Sequence, residues 1–178
     1  MQKLKRTIVG LVFLYAICSG TVSYSESHQA VIEWLEMTSK WRDARTKFSA
    51  IKEDMLEALE ADKSSEILML TDFVGNVERI CSCEEHLFAA SAWMDDGNKA
   101  GYYDHRARLM KDSRRDVEIY LDGLTRERRI LKDDVALSLV DKAINTIRSL
   151  LELFDETMVY IKGESERLRH LNTSAEKQ

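Results

Sequence analysis

The sequence contains no proline, and glycine is nearly as scarce. Average usage would place about nine prolines in a chain of this length, and only five glycines follow residue 25. Strand-and-turn folds and mixed α/β folds use these two residues at their turns and loops, whereas long helices need neither. The composition therefore favours an all-α protein and disfavours folds that depend on many tight turns.

The first 25 residues have the three parts of a secretory signal peptide. Three basic side chains between positions 3 and 6 precede an apolar run over residues 8–17, and small and polar residues follow up to Ser25. The apolar run is about half of the ~20 residues that a transmembrane helix requires, so we expect no stable membrane anchor. Cleavage after Ser25 is expected, with cleavage after Gly20 as the alternative. Lipidation of Cys18 is disfavoured because a bulky isoleucine precedes it.

Removal of this segment would take away three cations and no anion, and would lower the formal net charge from −5 to −8. A chain this acidic is not a general nucleic-acid binder. The remaining length is typical of one domain. We expect a cleaved signal peptide over residues 1–25, a helical bundle over residues 26–170 and a flexible tail over residues 171–178, in a periplasmic or secreted protein.

Apolar residues recur with helical spacing in four separate stretches, each stepping alternately by four and three residues. The first and fourth tracks are clean, except that Ser165 interrupts the fourth. The second and third are weaker because they contain charged residues. The first track comprises Ala30, Trp34, Met37, Trp41, Ala44, Phe48, Ile51, Met55 and Ala58, and the fourth comprises Leu137, Val140, Ile144, Ile147, Leu151, Phe154, Met158, Ile161 and Leu168.

Phase breaks between the tracks predict turns over residues 60–66, 95–101 and 131–136. Each turn contains side chains suited to an N-cap, namely Ser64 or Ser65, Asn98, and Asp133 or Asp134. Four helices of roughly 30 to 36 residues with short connections favour an antiparallel up-down four-helix bundle. Exchange of two hairpins between chains, which gives a domain-swapped dimer, is the alternative.

The stretch RICSCEEHL, residues 79–87, concentrates two cysteines, two glutamates and a histidine. Residues two apart on a helix differ by about 200° in direction, so Cys81 and Cys83 cannot share a metal ion there. The spacing of zinc and haem sites is missing as well. Cys81 lies on the apolar track and is predicted to be buried. Cys83 lies off the track, and in an oxidising compartment it is the candidate for an intermolecular disulfide that links a homodimer.

None of the four histidines fits the Glu-x-x-His pattern of di-metal bundle enzymes. His86 and His105 flank the second predicted turn, with Glu85 and Asp104 beside them. These four residues are the remaining candidates for a metal or small-ligand site. Otherwise the sequence indicates neither a metal nor a cofactor.

Two arginines, Arg114 and Arg128, interrupt the third track. The predicted turns place Arg114 level with Glu78 and Arg128 close to Asp141, so these acids are the predicted partners. Ion pairs of this kind fix helix register and add little stability. Alternatively, both arginines extend along the bundle edge to water, or line a groove that binds an acidic ligand. The polar breaks also predict a less well filled side between helices two and three, suited to a helix-in-groove partner.

No nucleophile motif of the G-x-S-x-G kind and no glycine-rich phosphate loop is present. The sequence therefore favours a non-enzymatic, exported, coiled-coil-like helical bundle that acts through contact with another envelope or secreted protein. An accessory, scaffold, chaperone-like or inhibitor role fits this prediction. The alternative is a periplasmic sensor domain that binds a small ligand or metal, and an enzyme is the third choice.

Overall fold

The computed structural model describes residues 24–62 and 65–175, and almost all of them are helical. Four helices follow one another: α1 (Tyr24–Asp62), α2 (Ser65–Ala90), α3 (Asp96–Glu127) and α4 (Asp134–Ala175). A short 3-10 helix, Ser91–Trp93, lies between α2 and α3. The described residues contain no strand, and the prediction of an all-α helical bundle is confirmed.

The helices differ in length more than the sequence predicted, with 39, 26, 32 and 42 residues. The last helix continues to Ala175, beyond the bundle end expected at residue 170. The predicted signal peptide falls almost wholly outside the described residues. The chain divides into two compact units, residues 1–36 and 37–178. In the first, Gln29 donates a 2.7 Å hydrogen bond to Glu33 one helical turn later; the packing described below belongs to the second.

Within residues 37–62, the large side chains of the seam predicted along α1 are buried, and Trp41 packs against α4. Trp41 and Phe48 of α1 are fully buried. The indole ring of Trp41 meets Phe154 edge-on with 4.9 Å between ring centroids, and its Nε1 donates a 3.1 Å hydrogen bond to Thr157 Oγ1. The large aromatic surface is therefore removed from water without leaving the indole N–H unpaired.

Burial along α4 is shifted by one residue from the predicted track at alternate positions. Leu151 and Met158 were expected in the core but are half-buried, whereas their neighbours Leu150 and Thr157 are buried. The reason is that α4 contacts both α1 and α3, so its buried strip is wider than a seam formed with one partner.

Ser165 interrupts the predicted α4 track, yet it is only 1% exposed. Its hydroxyl donates to Asp104 Oδ1 at 2.7 Å and lies 3.2 Å from the carbonyl oxygen of Ala100, both on α3. A buried hydroxyl with such partners costs little free energy. The core therefore continues through Ser165 to the buried Leu168.

Contacts between the helices join residues in opposite chain order. Along α3 and α4, the earlier residue of one helix contacts the later residue of the other, and three further helix pairs show the same reversal. This order is consistent with the expected up-down connection. The contacts are Arg114–Asp155 and Arg128–Asp141 for α3–α4, Lys40–Glu156 and Asp54–Lys142 for α1–α4, Arg42–Glu85 and Lys52–Glu78 for α1–α2, and Phe73–Tyr120 and Phe88–Tyr103 for α2–α3.

The second turn lies earlier than predicted, because α2 ends at Ala90 and α3 begins at Asp96. Asp95 is the N-cap of α3. Its Oδ1 accepts from the backbone N–H of Asn98 at 2.9 Å, and its Oδ2 accepts from the Asn98 side chain at 2.7 Å. These hydrogen bonds also lower the pKa of Asp95. The prediction of Asn98 as N-cap is wrong, since the Asp95 carboxylate already satisfies its backbone N–H and places Asn98 within the first helical turn.

The third turn agrees better with the sequence. The third helix ends at Glu127, and Asp133 Oδ2 accepts from the backbone N–H of Ala136 at 3.0 Å. Asp133 is thus confirmed as one of the two predicted N-caps of α4. The first turn joins α1 and α2 within the predicted range of residues 60–66, and α2 begins at Ser65. Of the two predicted N-caps, Ser64 lies outside what the structure describes.

Candidate functional site

A buried ion pair occupies the interface between α2 and α3. Arg106 Nη2 of α3 donates to Glu84 Oε2 of α2, and Ser113 Oγ donates to the other carboxylate oxygen at 3.2 Å. Glu84 is 2% exposed and Arg106 is 6% exposed. Each carboxylate oxygen has a donor, which offsets part of the desolvation cost. The pair therefore fixes the register of α2 against α3 more than it adds to stability.

Sequence reasoning missed this pair, because Glu84 interrupts the apolar track of α2 and Arg106 lies off the apolar track of α3. The available signal was positional: Arg106 lies three residues after Tyr103 and four before Met110, which are both on the α3 track. The structure fills the side between α2 and α3 at this point with paired charges. The expectation of a poorly filled groove finds no support there.

The next residue, Glu85, connects α2 to its other neighbour. Arg42 Nε of α1 donates to Glu85 Oε1 at 2.8 Å, and Arg45 Nε lies 3.0 Å from Oε2. Consecutive residues on a helix point about 100° apart. The adjacent Glu84 and Glu85 therefore hold α2 to α3 and to α1 respectively.

The two arginines of the third track pair with α4. Arg128 contacts both carboxylate oxygens of Asp141, as predicted, and this hydrogen bonding lowers the pKa of Asp141. The predicted pairing of Arg114 with Glu78 is wrong. Arg114 Nε instead donates to Asp155 Oδ1 at 3.0 Å, and its Nη1 reaches Glu118 one turn along α3.

The physical reason for this correction is the side of α3 from which Arg114 projects. It faces α4, whereas Glu78 of α2 faces α1. There Glu78 accepts hydrogen bonds from Ser49 and Lys52 at 2.5 and 2.8 Å. Arg114 and Glu78 were predicted at the same level along the bundle axis, but their side chains point toward different helices and do not meet.

The two cysteines of α2 differ as predicted, with Cys81 buried and Cys83 exposed. Burial, with a smaller contribution from the nearby Glu84 charge, raises the pKa of the Cys81 thiol far above its ordinary value. Cys81 is therefore a core side chain without thiolate character. The disulfide predicted for Cys83 stays a prediction.

The structure separates the four metal candidates into different environments. Glu85 binds the α1 arginines, while Asp104 binds Ser165 and Arg169 of α4. His86 is exposed and places Nδ1 2.6 Å from the carbonyl oxygen of Ser82, and His105 is exposed on α3. Within residues 24–62 and 65–175, no group of three or more His, Cys, Asp and Glu side chains is arranged to hold a metal ion.

The turn between α2 and α3 displays a tryptophan that sequence reasoning did not single out. Trp93 is 83% exposed, the highest value among the large apolar side chains of the described residues. It ends the 3-10 helix, where the backbone N–H of Met94 donates to the Ser91 carbonyl oxygen at 3.3 Å. The usable signal was a tryptophan two residues before the Asp-Asp-Gly sequence of a predicted turn.

Both sides of this turn are anchored in the bundle. The hydroxyl of the fully buried Ser91 donates to the Phe88 carbonyl oxygen at 2.7 Å and lies 3.2 Å from Tyr103 Oη. The Tyr102 hydroxyl donates to the Leu87 carbonyl oxygen, also at 2.7 Å. On the other side, the Asp95 N-cap begins α3. The indole is therefore presented from a fixed backbone.

Two open grooves elsewhere on the described surface are lined by mixed side chains, one between α1 and α4 and one between α3 and α4. Neither contains His86 or His105. None of the described helices combines the length and the apolar character that a membrane span requires. Comparison with protein families, with curated proteins and with solved structures found no match to this chain.

Proposed function

We propose that this protein is an exported, non-enzymatic helical bundle that acts by binding another envelope or secreted protein. The contact surface is the turn that carries Trp93. The observation behind this proposal is an indole that is 83% exposed on a turn held by hydrogen bonds on both sides. The exported location rests on the N-terminal segment of the sequence.

Tryptophan is enriched among the residues that dominate protein–protein binding energy. Its ring provides a large contact area, and its N–H provides one directional hydrogen bond. A turn that is already fixed loses little conformational entropy when it binds. The fitting partner has an apolar pocket for the indole and an oxygen acceptor for Nε1.

The test is capture of partners from an envelope fraction by the purified mature protein. Trp93→Ala should lose a partner that the unaltered protein retains. Val159→Ala is the matched control, because Val159 is a 75% exposed apolar residue on α4, and this variant should retain the partner. Identical capture by Trp93→Ala and the unaltered protein would contradict the proposal.

The metal content of the same purified protein tests the sensor alternative. Bound metal in stoichiometric amount that is lost in His86→Ala or His105→Ala would favour a sensor domain over a protein-binding bundle. The protein-contact proposal predicts that both histidine variants behave like the unaltered protein in the capture experiment.

A further inference from the structure

The outer face of α2 carries few charges for a helix surface. Between two charged side chains, Asp72 and Arg79, lie the half-buried Gly75 and Asn76. The other exposed side chains of the face include no acid, lysine or arginine. The exposed residues are Leu68, Met69, Asp72, Arg79, Cys83, His86 and Ala90.

Asp72 and Arg79 have opposite charges and no partner within the part of the chain that the structure describes. They are seven residues apart, so they point in nearly the same direction but lie about 10.5 Å apart along the helix. Neither has an opposite charge three or four residues away on α2. This arrangement contrasts with Arg114, which pairs with Glu118 on its own helix.

We propose that this face is a homodimer interface in which α2 of a second copy packs antiparallel, with the two-fold axis between Gly75 and Asn76. In that register Asp72 lies opposite Arg79 of the partner subunit, and the symmetry forms the same ion pair a second time. The second copy is therefore the occupant that supplies both missing charges.

Other registers leave these charges unmatched. A parallel pairing in register would place Asp72 opposite Asp72 of the partner subunit, and like charges in that position repel. An antiparallel pairing centred on Cys83 would place Arg79 opposite the uncharged Leu87 of the partner subunit. Charge complementarity between two copies of α2 therefore favours the antiparallel register centred between Gly75 and Asn76.

The proposed register determines whether Cys83 can form a disulfide between the two copies. The two copies of Cys83 would be fifteen residues apart along the helix pair, or about 22 Å, whereas a disulfide needs Cα atoms about 4.4 to 6.8 Å apart. The two copies of position 76, by contrast, would be offset by about 1.5 Å. Cys83 therefore does not link this dimer, but a cysteine at position 76 would.

The experiment is oxidative crosslinking of the mature protein, which lacks Cys18, with Cys83→Ser, so that only buried Cys81 and one introduced thiol remain. Adding Asn76→Cys should give a disulfide-linked dimer. Val159→Cys, a more exposed position on α4, is the control and should stay monomeric on the same timescale. The protein that retains native Cys83 should also form little linked dimer.

Charge reversal then tests the ion pairs. Asp72→Arg and Arg79→Asp, each added to the Asn76→Cys protein, should reduce crosslinking several-fold, and the two together should restore it. One helix pair buries less than the roughly 1,600 Å² typical of stable complexes, so sedimentation of the unaltered protein should show association that increases with concentration.

Three outcomes would overturn the proposal: crosslinking through Cys83 as efficient as through position 76, equal crosslinking of Val159→Cys, or no recovery in the double charge variant. Circular dichroism of each variant checks that the helices are intact. The α2 face and the Trp93 turn are separate surfaces, so failure of this dimer leaves the proposed partner contact standing.

Discussion

The outer faces of α2 and α3 differ in how many charged side chains they carry, although each helix packs between two neighbours. On α3 the exposed surface is densely charged with both signs, including Arg108, Lys111, Asp112, Arg115, Glu118, Asp122 and Arg126. Among the residues of α2 whose burial the structure describes, the exposed surface has one acid and one arginine. The charged residues of α2 mainly lie at its edges, where Glu78, Glu84 and Glu85 bind neighbouring helices.

This difference shows that charge on a bundle helix can serve either solvation or attachment. The mixed charges of α3 keep its outer face hydrated. The edge charges of α2 position that helix, and its outer face is left available for another chain. Variants that remove an attachment charge should therefore cost much more stability than variants that remove a solvated one.

The largest effect is expected for Arg106→Met. This change leaves the Glu84 carboxylate buried without its cation, and we expect the free energy of unfolding to fall by about 3–5 kcal/mol. Arg115→Met on the exposed face of the same helix is the control, with a change within about 0.5 kcal/mol. Urea unfolding followed by circular dichroism measures both.

The pair variant Glu84→Met with Arg106→Met sharpens this comparison. Removing both charges leaves no unpaired ion, so most of the lost stability should return. A cost for Arg106→Met no larger than that for Arg115→Met would show that this ion pair does not attach α2 to α3.

The next largest change in stability is expected for substitution of Cys81, one of the two cysteines of α2. Cys81→Ala should lower the free energy of unfolding by about 1 kcal/mol through lost packing, whereas Cys83→Ala should be nearly neutral. In the folded, reduced protein a thiol reagent should modify Cys83 readily and Cys81 only after unfolding, because burial suppresses the thiolate. Equal rates of modification would contradict the buried position of Cys81.

Two glycines of α3 distinguish an open helix surface from a packed one. A Cβ atom at Gly101 would meet no atom within 4 Å, while a Cβ atom at Gly123 would lie 3.2 Å from Phe73 Cζ of α2. Gly101→Ala should therefore raise the free energy of unfolding by about 0.5–1 kcal/mol. Gly123→Ala should gain less, because Phe73 must move. An equal gain from both would mean that α2 and α3 pack more loosely there.

The smallest effect concerns the edge charge of Glu78. Burial acts to raise the pKa of this carboxyl, but hydrogen bonds from Lys52 and Ser49 and the charges of Lys52 and Arg45 outweigh it, so the pKa is lowered. A lowered folded-state pKa contributes stability above the unfolded pKa of about 4.3, and this contribution is lost as pH falls through the folded value.

Lys52→Met should therefore cost under about 1 kcal/mol at pH 7. The difference from the unaltered protein should shrink as the solution is acidified below about pH 4. Thermal unfolding across this range measures the difference, with Lys47→Met on the exposed face of α1 as the control. A difference that does not depend on pH would indicate that Lys52 acts through packing of its alkyl chain against Gly75.

Much of the fold could be predicted from the sequence because heptad spacing reports directly which residues of a helix face the core. Trp41, Phe48 and Cys81 lie in the core as their spacing predicts. Asp133 caps α4 as predicted. The candidate surfaces could be predicted less well, since periodicity does not distinguish an exposed tryptophan or a sparsely charged helix face from other exposed positions.

The sequence by itself determined that this protein is helical, where its turns fall to within a few residues, and which cysteine is buried. Only the tertiary structure decided which neighbour each polar side chain meets. Periodicity fixes the direction of a side chain relative to its own helix axis, but it does not say which helix lies in that direction. For that reason Arg128 found its predicted partner Asp141, whereas Arg114 turned to Asp155 and the buried Arg106 paired with Glu84.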